Sequence, residues 1–129
     1  MIFVDTNYFL RFLLKDEQNH YLEAKSFFEQ ADEKNLDLIS STVVFFEVFW
    51  VARSFYQKNK DSLLQLMSNL LKLGVIFENQ NLLHQSLMLF QQSNLSLVDC
   101  YNLSFAKNHQ VKDFKTFDRK LIQKFKSKN

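Results

Sequence analysis

Four acidic side chains stand in settings where a carboxylate is costly or conspicuous. Asp5 follows the apolar run MIFV, and Glu47 is the only charge between Ser40 and Ala52. Asp99 sits in LSLVDCYNLSFA, and Asp118 follows FKTF. Glu47 lies among Phe45, Phe46, Val48, Phe49 and Trp50, and an isolated buried carboxylate there must pair with Arg or Lys or coordinate a metal. The aspartates have a plainer reading as helix caps. Asp5 with Thr6 and Asn7 precedes one helical segment, Asp118 precedes another, and Asp99 closes an S-x-x-D capping box opened by Ser96. Brought together, the four would repel one another and protonate unless a cation held them. Hard oxygen ligands suit Mg²⁺ or Mn²⁺. The matching chemistry is phosphodiester hydrolysis, in which one or two cations activate water and stabilise the leaving oxygen.

The elements that must position these acids are legible from apolar periodicity. Met1–Val4, Asp37–Ile39, Val75–Phe77 and Val111–Phe117 read as short strands. Helical spacing covers 7–14, 19–33, 43–57, 61–72, 82–90, 96–107 and 118–125. Segment 43–57 is apolar nearly all round and is expected to be the central buried helix. Gly74, the only glycine, falls where a helix C-cap is expected. Strands separated by helical crossovers imply a mainly parallel sheet between helices, an α/β domain. In such sheets ligands collect beyond the carboxyl ends of the strands. Asp5 and Asp118 directly follow strands, while Glu47 and Asp99 fall in the first two turns of helices leaving that edge.

These segments resemble PIN-domain ribonucleases. The resemblance rests on VDTNYFLRFLL, on Glu47 in TVVFFEVFWVA, on Asp99 in SLVDCYNLSFA, and on TFDRKL with Thr116 and Asp118. It spans almost the whole chain, and small single-domain members of this kind resemble VapC toxins of toxin–antitoxin pairs. It implies one PIN-like nuclease domain over residues 1–129, a three-layer α/β/α fold with a mainly parallel four- or five-stranded sheet. It also implies a Mg²⁺- or Mn²⁺-dependent endoribonuclease that leaves a 5′-phosphate and a 3′-hydroxyl on RNA. Such a protein is usually a homodimer silenced by a cognate antitoxin. By that likeness Asp5, Glu47, Asp99 and Asp118 are the catalytic, metal-binding acids, with Asp5 and Asp99 central. Thr116 would orient a carboxylate or water, and Thr6, Asn7 and Asn102 would support the site. Family members commonly end with one more strand; this chain ends LIQKFKSKN, so the sheet edge is expected to be open or covered by a partner.

Composition narrows the alternatives. The 129 residues are 47% apolar, with 15 Phe, one Gly, no Pro and one Cys, which fits a single reduced, helix-rich domain and excludes disorder and disulfide-stapled folds. No apolar run is long enough to span a bilayer, so a cytoplasmic protein is expected. Residues 1–106 are net −4 and residues 107–129 net +6, so the segment Lys107–Lys128 is either a solvated basic end or a guide for a polyanion. His20, His84 and His109 lack zinc-site spacing, and Cys100 has neither a nearby His nor a favourable neighbour for nucleophilic catalysis. An aspartyl-phosphate phosphatase would want an acid two residues after Asp5, where Asn7 stands. A PIN-like module that only binds RNA or a partner is the alternative from another class.

Overall fold

A computed structural model describes residues 1–127; Lys128, the last cation of the basic segment, lies outside the described residues. The chain divides into two compact units, Met1–Gln80 and Asn81–Asn129.

The first unit contains β1 (Ile2–Phe3), α1 (Thr6–Leu14), α2 (Gln18–Glu33), β2 (Leu38–Ser40), α3 (Thr42–Ser54), α4 (Lys60–Leu70) and β3 (Ile76–Phe77). Its strands form one parallel sheet in the order β1-β2-β3. Ile2 pairs with Leu38, and Ile39 with Ile76. Parallel neighbours need crossovers, and each crossover here is a pair of helices. Phe77 on β3 packs its ring against Phe9 of α1 at 5.6 Å and Phe45 of α3 at 6.3 Å. Both partners are fully buried, so these aromatic contacts fix the helices to the sheet.

The second unit contains α5 (Gln80–Gln92), whose first residue closes the first unit, together with α6 (Leu97–Asn108) and α7 (Arg119–Lys126). Leu83, Ser86, Leu97, Cys100 and Leu103 are its most deeply buried side chains, and α6 packs on α7.

Three expectations need correction. Segment 111–117 is not a strand, so among the described residues the sheet has three strands rather than four or five. Its groups bond locally instead: Val111 N–H donates to the Ala106 carbonyl, Phe114 N–H to its neighbour Asp113, and the Thr116 hydroxyl accepts from Asp118 N–H. Helix α3 is buried on one face only, through Val44, Phe45, Val48, Phe49 and Ala52. Val43 and Trp50 are 72% and 61% exposed, because a sequence apolar all round does not say which face meets the core. Finally, Gly74 lies beyond the end of α4, whose C-cap is Leu71; its φ of +81° serves the turn into β3.

Helix ends elsewhere use left-handed residues that are not glycine. Asn35 and Gln110 occupy that position in closures where the next amide reaches back to Ala31 and Ala106, respectively. Gln57 does the same after α3, with a φ of 52° and Lys58 N–H donating to Ala52. A side chain in this region costs about 1–2 kcal/mol, partly offset by the larger unfolded-state entropy of glycine. Gln57→Gly is therefore expected to stabilise the protein by roughly 0.5–1 kcal/mol in urea unfolding. Destabilisation by that variant would mean that the Gln57 side chain is needed for more than its conformation.

Candidate functional site

The first unit positions Asp5 and Glu47. Ile2 N–H donates to Asp37, Val4 N–H donates to Ile39, and the buried Ser40 hydroxyl donates to the Val4 carbonyl at 2.8 Å. Val4 is thereby clamped to β2, and the next residue emerges as an exposed carboxylate at the N-terminus of α1. One oxygen of Asp5 accepts from Thr6 N–H at 2.7 Å. The Thr6 hydroxyl beside it is buried and has no hydrogen-bond partner among the described residues. A buried hydroxyl left without a partner is a place for an ordered water or another oxygen ligand. Asn7 is exposed in the first turn of the same helix.

Glu47 departs from the expected setting. It is exposed on α3, in the same stripe as Val43 and Trp50, and is not buried among phenylalanines. The desolvation argument that first marked it out therefore does not apply, although its carboxylate is open to solvent for any ligand.

The second unit positions Asp99, Thr116 and Asp118. Ser96 caps α6 by accepting from Asp99 N–H at 3.1 Å, but the Asp99 carboxylate returns no bond to Ser96. Only half of the expected capping box is made, and the half-buried carboxylate is free of that duty. Asn102, one turn later, is exposed. The Thr116 hydroxyl accepts from Asp118 N–H at 3.1 Å, and Asp118 caps α7 by accepting from Lys120 N–H at 2.9 Å. Thr116 thus fixes the backbone from which the Asp118 carboxylate projects.

Among the described residues none of the four acids forms an ion pair, so no described cation is bound to these oxygens. Carboxylates and hydroxyls of this kind suit a hard divalent ion, and the donor chemistry fits. Among the described residues there is also no group of three or more His, Cys, Asp or Glu able to hold a metal. Cys100 is fully buried with its sulfur 3.7 Å from the Ser93 hydroxyl, consistent with a structural side chain.

Sequence reasoning missed two features. Glu78 follows β3 as Asp5 follows β1, and it holds the start of α3: its carboxylate accepts from Thr42 N–H and its carbonyl from the Thr42 hydroxyl, both at 3.1 Å. Its place after the run VIF was the available signal. The second is a polar network in which Asp16 accepts from the Tyr56 hydroxyl and pairs with Arg11 at 3.3 Å. Forty residues separate Asp16 from Tyr56, and no local pattern announces the contact.

A family model for the PIN domain matches residues 2–126. No curated protein matches the chain significantly. The crystal structure of VapC20 of Mycobacterium tuberculosis, a sarcin-ricin loop cleaving toxin, is similar at 17% identity with a TM-score of 0.45. That likeness covers 94% of this chain and 92% of VapC20.

Two outcomes test these assignments. Asp5→Asn keeps a capping oxygen and is expected to change stability by less than about 0.5 kcal/mol, whereas Asp5→Ala costs about 1 kcal/mol. If both nevertheless lose divalent-cation binding in calorimetry, the carboxylate is a ligand as well as a cap; retained binding in Asp5→Asn makes it a cap only. The Tyr56 hydroxyl foremost, then the Asp16 backbone N–H and Arg11, hold the Asp16 carboxyl below its ordinary value. The resulting stability is present above the ordinary carboxylate pKa of about 4 and is lost as pH falls through the lower folded value. Asp16→Asn is therefore expected to cost up to about 1 kcal/mol at pH 7, with the difference from wild type closing in acid. A difference that persists unchanged at low pH would assign the effect to packing.

Proposed function

Because the chain belongs to the PIN-domain family, whose model matches residues 2–126, we propose that it is a divalent-metal-dependent endoribonuclease, acting as one nuclease domain over residues 1–129. The family match carries this reading. The oxygen donors, free of ion-pair partners among the described residues, support it. We assign Asp5 and Asp99 as the central ligands, with Asp118 and Glu47 completing the set and Mg²⁺ or Mn²⁺ as the ion. When bound, the ion supplies an activated water and neutralises charge on the scissile phosphate.

The chain's own groups perform the remaining work. Capping fixes one oxygen of Asp5 and one of Asp118 against helix N-termini. The other oxygen of each is left to face a ligand. Thr116 holds Asp118 in register, and its hydroxyl proton orients a carboxylate or a water. The basic run Lys107–Lys128 steers the RNA backbone. Hydrolysis leaves a 5′-phosphate and a 3′-hydroxyl. The role of toxin in a VapBC-type pair, a cognate antitoxin, a homodimer and a cytoplasmic location complete the proposal. Among the described residues no helix is long and apolar enough to cross a membrane.

Incubation of the protein with mixed cellular RNA tests the reading, with Mn²⁺, Mg²⁺ or chelator and with Asp99→Asn alongside. The expected result is discrete cleavage requiring both ion and Asp99, with the rate reduced at least 100-fold in the variant and falling as salt rises. Absence of cleavage together with absence of divalent-cation binding would overturn the enzyme reading and leave a module that binds RNA or a partner.

A further inference from the structure

Helices α1 and α2 enclose an open cavity of about 250 Å³ lined by Asn7, Tyr8, Arg11, His20, Glu23 and Ala24. None of its polar residues except Asn7 has been used above for the metal site. The lining contains one permanent cation, Arg11, and one carboxylate, Glu23, and Arg11 is already paired with Asp16. That balance does not favour a phosphate. It favours an uncharged, planar group presenting donors on one side and acceptors on another.

We propose that this cavity is a guanine-binding subsite for a base of the RNA strand, a reading that rests on the nuclease assignment. Among the bases, guanine presents two neighbouring N–H groups on its Watson–Crick edge, matching a carboxylate such as Glu23. It also presents the O6 and N7 acceptors that arginine commonly reads. The Tyr8 ring supplies the stacking surface: it is 38% exposed and held edge-on against Phe27 at 5.3 Å. Arg11 is oriented by Asp16, which the Tyr56 hydroxyl holds in turn. Among the described residues Glu23 forms no ion pair, so its carboxylate is available to the base. Arg11 lies six residues beyond Asp5, about 9 Å along the axis of α1, which places a bound base close to a phosphate at Asp5.

The test is equilibrium binding of GMP, AMP and IMP to the full chain in chelator, followed by NMR. The three nucleotides share the phosphate, so differences report the base. GMP is expected to bind at least about tenfold more tightly than AMP, with IMP, which lacks the exocyclic amine, between them. Glu23→Gln should remove the preference, and Tyr8→Ala should weaken all three. Equal binding, or a preference that survives in folded Glu23→Gln, overturns the proposal. Mapping RNA cleavage separates it from the nuclease reading. Guanine selectivity without any cleavage means the cavity is assigned correctly and the nuclease reading is wrong. Cleavage at sites with no nearby guanine, unchanged by Glu23→Gln, means the reverse.

Discussion

The Ser40 hydroxyl is the interaction on which the site-bearing edge of the first unit depends. It is buried at the carboxyl end of the central strand and donates to the Val4 carbonyl, while the Ser40 carbonyl accepts from Glu78 N–H. One residue therefore ties both neighbouring strands together just where the acidic side chains emerge. Strands of two and three residues have few ladder bonds, so such a clamp carries a large share of the edge's order. A buried carbonyl left without its donor would cost about 1–3 kcal/mol, comparable to several exposed contacts. The direction in which Asp5 leaves the sheet is set by this bond before any ligand arrives.

Helix capping and ligand chemistry compete for the same atoms. Asp5 and Asp118 each commit one oxygen to a helix N-terminus and keep one. Asp99 commits only its backbone N–H, so its whole carboxylate stays available. Capping anchors the side chain on a rigid element. The structural role thus fixes where the carboxylates of Asp5 and Asp118 leave their helices.

This overlap also explains what the sequence could reveal. The place of Asp5 just after the first strand, the helix starts and the helical crossovers are legible because they follow from local apolar periodicity and cap residues; the expected strand before Asp118 is not formed. The burial of Glu47 was misjudged because α3 is apolar on every side, and periodicity then says nothing about which face turns inward. Segment 111–117 carries Val111, Phe114 and Phe117 and reads as a strand, but Val111 and Phe114, with Asp118 just beyond, spend their amides on local acceptors. The Asp16–Tyr56 contact and the cavity between α1 and α2 depend on residues brought together by folding, for which local spacing offers no cue.

The sheet has a consequence for how the polypeptide reaches its native state. The Ser40–Val4 bond and the Thr42–Glu78 bonds each join residues 36 positions apart, and among the described residues no strand pairs with a sequence neighbour through a tight turn. Helices α1 to α4 can form locally in microseconds, but parallel pairing must wait for those long closures. During synthesis the third strand cannot dock until Glu78 has left the ribosome. A nascent chain shorter than that carries helical hairpins and exposed strand edges but no finished sheet. The acidic edge is consequently among the last features of the first unit to be completed.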